Sequence, residues 1–122
     1  MTFYKCNTCG NIIVYANNAG VPVFCCGEKM QPIQESTGAS EKHIPMLTYN
    51  KNEVVVSVST ISHPMTEEHF IDWIALETNK GVSVKYVRGA EIARARFEIE
   101  DGEEVIAAYA YCNLHGLWSS NN

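Results

Sequence analysis

Nine residues of the chain are cysteine or histidine, and their spacing constrains its fold more than any other feature. Cys6, Cys9, Cys25 and Cys26 lie within the first 26 positions, as C-x-x-C followed later by two adjacent cysteines. His43, His63, His69, Cys112 and His115 are spread over the rest, and no other Cys or His remains. Thiolate and imidazole are the donors that hold iron, zinc and copper. Each group has enough donors to close one metal site.

The first group settles how residues 1–35 can fold. Phe3-Tyr4-Lys5 and Ile12-Ile13-Val14-Tyr15 read as short strands around the C-x-x-C. A Gly/Asn-rich loop from Asn17 to Gly20 then leads through Val21-Pro22-Val23-Phe24 to the second pair. Few of these side chains can build a core, and a module below about 40 residues usually needs a metal or a disulfide to hold together. Four cysteines meet that need. They predict a tetrahedral S4 site for zinc or iron, and spacing alone prefers zinc. Gly10 eases the turn after Cys9. Adjacent Cys25 and Cys26 are less usual, because neighbouring side chains point apart. Both reach one metal only through a strained backbone.

Gln34 to Ser40 is small and polar and reads as a linker, so the remaining residues, 36–122, form a second domain. Its pattern is that of strands. Val54 to Ser59 is β-branched, and Val82 to Val87 follows the Asn79-Lys80-Gly81 turn. Ala93 to Glu100 alternates, and Val105 to Tyr111 is apolar. Phe70 to Thr78, with Ile71, Trp73 and Ala75 on one face, fits a strand or a helix. Thr66, followed by Glu67 and Glu68, carries the signals of a helix cap and predicts one helical turn. Strands at this spacing predict an antiparallel β-sandwich, with Trp73, Trp118, Phe97 and Tyr109 in its core and Met46 and Met65 filling it.

The second group lies on the connections of that sandwich. His63 and His69 share one loop, Cys112 and His115 form a C-x-x-H at the end of the last strand, and His43 follows the linker. Taken singly, each histidine reads as a surface or satisfied core residue. Together, four imidazoles and one thiolate suit iron or copper better than a closed structural zinc. Five protein ligands on a six-coordinate metal leave one position open for inner-sphere chemistry. The competing readings are a pure electron carrier, a cupredoxin-type copper site that leaves two histidines unexplained, and a zinc-stabilised interaction module that ignores the second group.

The bulk numbers exclude other classes. A net charge of −5, with no basic stripe, argues against nucleic acid. No apolar run reaches the roughly 20 residues of a membrane helix. The start, Met1-Thr2-Phe3-Tyr4-Lys5-Cys6, does not read as a signal peptide. The expectation is a cytoplasmic protein whose cysteines bind metal rather than each other.

The motifs carry a resemblance over nearly the whole chain. Cys6-x-x-Cys9 with Cys25-Cys26 resembles a desulforedoxin-type module. Glu41-Lys42-His43-Ile44-Pro45, His63-Pro64-Met65 with His69 and Trp73-Ile74, and Cys112-Asn113-Leu114-His115-Gly116 resemble the catalytic domain of the desulfoferrodoxin-type superoxide reductases. The resemblance implies a distorted Fe(Cys)4 centre in residues 1–35 and an immunoglobulin-like sandwich in residues 36–122. It further implies an Fe(His)4(Cys) site in which His43, His63, His69 and His115 are equatorial and Cys112 is axial and tunes the metal's potential. The implied protein is a homodimer that reduces superoxide to hydrogen peroxide with electrons from rubredoxin; the alternative is an iron electron-transfer protein without substrate turnover. Within this frame Lys42 is the group expected to attract superoxide and organise water that delivers protons. Glu41 is expected to occupy the sixth position at rest.

Overall fold

The computed structural model describes residues 1–36, 43–58 and 63–120. The chain divides into two compact units, Met1–Gln34 and Glu35–Asn122. All regular elements are strands, and no helix occurs among the described residues. None is therefore long and apolar enough to cross a membrane.

The first unit contains five two-residue strands: β1 (Tyr4–Lys5), β2 (Ile12–Ile13), β3 (Phe24–Cys25), β4 (Glu28–Lys29) and β5 (Gln31–Pro32). They pair antiparallel as a β2-β1-β5 sheet and a β3-β4 hairpin. Its buried apolar side chains among the described residues are Phe3, Cys6 and Met30. That is far too little to stabilise a fold of this size unaided. The short strands instead bring the four cysteines together.

The second unit is a sandwich of two antiparallel sheets. One has the order β10-β7-β6, from Arg94–Glu98, Glu53–Val58 and Pro45–Asn50. The other has the order β12-β11-β8-β9, from Gly116–Ser119, Val105–Cys112, Ile71–Thr78 and Gly81–Tyr86. Val54, Val56 and Val58 alternate inward from β7, as β-branched residues at period two do on a half-buried strand. They meet Ile71, Ile74, Leu76, Ala108 and Ala110 across the interior. At the start of the unit, Ser36 pairs in parallel with Trp118 on β12.

The central pair β8–β11 carries an irregularity that bears on the site. Tyr111 pairs with Trp73, but Cys112 pairs with Ile71, so the register skips Asp72. This β-bulge reverses the facing of everything before it on β8. Ile71 therefore joins the Ile74–Leu76 face, not the Trp73–Ala75 face that simple alternation assigned to it. Asp72 turns outward. Its carbonyl accepts from the Val87 and Arg88 N–H groups at 3.0 and 3.2 Å, and its carboxylate holds Arg88 at 2.7 and 3.1 Å.

Other expectations also need correction. The 66–69 segment is a bend rather than a helical turn. The Thr66 hydroxyl does accept from the His69 N–H at 3.0 Å, as a cap would, but the Thr66 N–H also donates to the His69 carbonyl at 2.9 Å. The loop closes on itself, and Phe70 leads straight into β8. Met46 is 42% exposed and fills no core. Trp118 is half-buried over the second donor group, and not part of the core cluster. Trp73 and Tyr109 are buried but lie outside that cluster. Glu41 and Lys42 fall outside the described residues.

Candidate metal centres

In the first unit the sulfurs of Cys6, Cys9, Cys25 and Cys26 all lie within 4.8 Å of one another. The C-x-x-C loop is held by backbone bonds from Cys6 N–H to the Asn11 carbonyl and from Gly10 N–H to the Cys6 carbonyl, each 2.9 Å. Gly10 sits at φ +86°, where a side chain would be strained. The puzzle of two adjacent ligands is solved by the backbone. Cys26 adopts φ +53° and Gly27 φ +76°. This left-handed turn between β3 and β4 swings the Cys26 sulfur to the side of Cys25. The strain it stores for a non-glycine residue is about 1–2 kcal/mol, which a bound metal offsets many times over.

The sulfurs are spaced for one ion. Cys9 Sγ and Cys25 Sγ are 3.6 Å apart. Two thiolates on a tetrahedral metal, with bonds of about 2.3 Å, stand about 3.8 Å apart. The electrostatics agree. Backbone N–H groups of Cys9 and Thr8 bring the Cys6 thiol down to about 6, so it is largely ionised near neutral pH. Hydrogen bonding and crowding by Cys9, Cys6 and Cys25 push Cys26 up to about 12, and contacts with Cys9 and Cys6 also raise Cys25. Four sulfurs this close cannot all become anionic alone, and a cation at their centre removes the conflict.

In the second unit, donor atoms of His43, His69, Cys112 and His115 lie within 4.8 Å of one another. His63 stands outside that mutual limit but closes the figure. Round the sequence His43–His63–His69–His115, neighbouring ring centroids are 4.8, 4.6, 5.0 and 4.7 Å apart, with planes at 73–80°. The His43–His69 diagonal is 6.3 Å, close to what a square of such sides has, and these opposite rings are tilted by only 34°. Four imidazoles thus surround one small space. His43 Nε2 and His115 Nδ1 are 3.0 Å apart, the separation of two nitrogens each about 2.1 Å from one metal at a right angle. Cys112 is completely buried, with its sulfur 3.8 Å from His115 Nδ1. His115 is exposed and His69 half-buried, whereas His43 and His63 are buried, so the site has a core side at Cys112 and meets solvent at His115.

The supports of these rings are as specific as the rings themselves. His63 Nδ1 lies 2.7 Å from the Pro64 carbonyl, which can only accept. The proton is therefore on Nδ1 and the acceptor lone pair on Nε2, the arrangement a metal-binding histidine needs. Trp118 stacks on His43 and donates its indole N–H to the His115 carbonyl at 3.1 Å. Asn113 links the Cys112–His115 turn to the loop that bears His69. Reasoning from sequence took Trp118 for core and gave Asn113 no task of its own. Position beside a ligand was the available signal for Asn113, while nothing in sequence marks Trp118 as His43's neighbour across 75 positions.

The donor sets fit iron in both places: four thiolates in one, imidazoles with one thiolate in the other. A family model described as desulfoferrodoxin matches residues 35–121. A second, the N-terminal domain of desulfoferrodoxin, matches residues 1–33. The chain belongs to the desulfoferrodoxin family. It is 40% identical over 120 residues to the desulfoferrodoxin of Nitratidesulfovibrio vulgaris, covering 96% of this chain and 93% of that one. It is 30% identical over 107 residues to a superoxide reductase of Thermococcus kodakarensis, covering 74% of this chain and 93% of that one. Among solved structures, the superoxide reductase from Treponema pallidum superposes with a TM-score of 0.84 at 32% identity, over 98% of this chain and 97% of the other. The desulfoferrodoxin family therefore accounts for both donor sets and for the all-β architecture.

Proposed function

We propose that this chain is a superoxide reductase. The observation that carries the proposal is the square of four histidine rings over a buried cysteine, on a fold shared across almost its full length with the Treponema pallidum enzyme. His43, His63, His69, His115 and Cys112 hold the reactive iron, and Cys6, Cys9, Cys25 and Cys26 hold the other. In this reading residues 1–35 form the Fe(Cys)4 module and residues 36–122 carry the reaction. Ferrous iron, when bound at the second set, supplies one electron and a coordination position that five protein ligands leave open.

The chain's own residues account for the rest. Superoxide takes up one electron and two protons to give hydrogen peroxide. The four imidazoles are neutral donors and the Cys112 thiolate the one anionic donor, which supports an oxidised metal without over-neutralising it. The exposed side at His115 gives water access for protons. Lys42 attracts the anion and organises that water; a charge pair at about 4 Å is worth about 1 kcal/mol in water and about 4 kcal/mol at an effective dielectric near 20. That offsets the repulsion of a net charge of −5. Glu41 is the carboxylate that would cover the reactive iron at rest.

A rubredoxin-like donor, a homodimeric state and a cytoplasmic location complete the proposal. The family resemblance supports the first two. Five free cysteines, each placed in a metal-donor group, suit a reducing compartment and support the third. The test is stoichiometry: anaerobic, pre-reduced protein given pulses of superoxide should yield one peroxide per superoxide with no dioxygen released. Dioxygen evolution at half that amount would indicate dismutation, and no consumption would leave an electron carrier.

A further inference from the structure

We propose that Asn113 is a positioning residue that fixes His69 against Cys112 and His115 before any metal arrives. The inference rests on the reading that these three residues share one metal. Asn113 lies in the turn between Cys112 and His115. Its side-chain Oδ1 accepts from the Phe70 N–H at 2.8 Å, and its Nδ2 donates to the Glu68 carbonyl at 2.8 Å. The bonded groups are the two immediate neighbours of His69. A third bond runs from the Asn113 backbone N–H to the Phe70 carbonyl at 3.2 Å.

His69 itself is pinned from the other direction. Its N–H donates to Thr66 Oγ1 at 3.0 Å, and its carbonyl accepts from the Thr66 N–H at 2.9 Å and hydroxyl at 3.2 Å. The Thr66 loop thus shapes the backbone of His69, and Asn113 sets where that shaped loop stands relative to the other ligands. The amide is suited to the task because one side chain offers an acceptor and a donor on opposite atoms. Both are used, across more than forty positions of sequence. Aspartate offers only acceptors and would face the Glu68 carbonyl with a repelling oxygen.

Groups that orient metal ligands typically contribute 10–100-fold to metal affinity. Asn113→Ala should therefore weaken binding at the second site by about that factor and leave the first site, which belongs to the other unit, unchanged. The experiment titrates the metal-free full chain with cobalt(II), following the part of the thiolate-to-metal absorption that Cys112→Ser abolishes. Wild type, Asn113→Ala and Asn113→Asp are compared, with thermal unfolding of each metal-free protein alongside. The expected result is a weaker and spectrally shifted second site in both variants, with the first site serving as reference within the same molecule. An unchanged second-site affinity and spectrum, with or without a lower melting temperature, overturns the positioning role. Should Asn113→Ala fail to fold, Asn113→Asp decides by the same criterion. A wild-type chain whose cobalt spectrum ignores Cys112→Ser would instead refute the shared metal site itself, and the two failures are thereby told apart.

Discussion

The indole of Trp118 lies flat on the imidazole of His43, with ring centroids 4.7 Å apart and planes within 18° of parallel. The same side chain donates to the carbonyl of His115, the next ring round the square. One aromatic residue therefore fixes the tilt of one ring and the backbone of another. Trp118→Phe should keep the stack and lose a single hydrogen bond, costing about 1 kcal/mol. Trp118→Ala should lose both, cost about 3 kcal/mol and weaken second-site metal binding about tenfold. Urea unfolding of the metal-free chain and metal titration measure the two effects; equal behaviour of the variants would deny the stack any role.

Removing metal should unfold the first unit and leave the second folded. Phe3, Cys6 and Met30 are the buried apolar side chains described in the first unit, whereas the second has its own interior built on Val54, Val56, Ile74 and Leu76. After chelation, amides of residues 1–34 should lose hydrogen-exchange protection and those of β7, β8 and β11 should retain it. Continued protection in the first unit would mean that its fold stands without the ion.

Acid should reveal the Glu103 carboxylate. It accepts from the Thr78 hydroxyl at 2.5 Å and from the Glu100 N–H at 2.8 Å, which holds its pKa below the ordinary 4.5. A depressed carboxyl stabilises the fold at pH values above 4.5, and that contribution is lost as pH falls through the lower folded value. Glu103→Gln should therefore be less stable than wild type near about pH 7, with the gap narrowing below 4.5. Thermal unfolding across that range checks this, and parallel profiles would contradict it.

Lys42→Ala should slow capture of superoxide by between about fivefold and about a thousandfold, the span set by 1–4 kcal/mol, and leave metal content unchanged. The effect should shrink as salt is added, since a guiding charge is screened. Pulse radiolysis at low and high ionic strength reads both, and wild-type capture rates at low salt would remove Lys42 from the proposed mechanism.

The parts of the fold legible in sequence are those where one physical signal dominates. Val54–Val58 is β-branched and alternates, and its strand is plain. The edge strand Pro45–Asn50 has no such run and exposes most of its residues, so periodicity had nothing to register. The 66–69 segment shows the limit of cap signals. Thr66 behaves as a cap towards His69, yet the Phe70 N–H goes to Asn113 across the chain, and a tertiary bond overrides a local preference. Ile71 was assigned to the wrong face because alternation assumes an unbroken register. The two donor groups that the structure gathers were legible, since their residue types have few other joint uses. Their supports were not: indole and amide side chains serve many purposes, and only the third dimension selects one.

The skipped residue on β8 has a consequence for charge. In an unbroken register the interior face of β8 would run Leu76, Ile74, Asp72, placing a carboxylate opposite the Cys112 thiolate. Two anions side by side in a dry interior would repel each other with little screening. The bulge puts Ile71 there instead and sends Asp72 out to Arg88. One surplus residue in a strand thus acts as insulation for the thiolate. The charge at position 72 is thereby kept to the Arg88 side of the strand, whereas a charge at position 71 would stand opposite the sulfur.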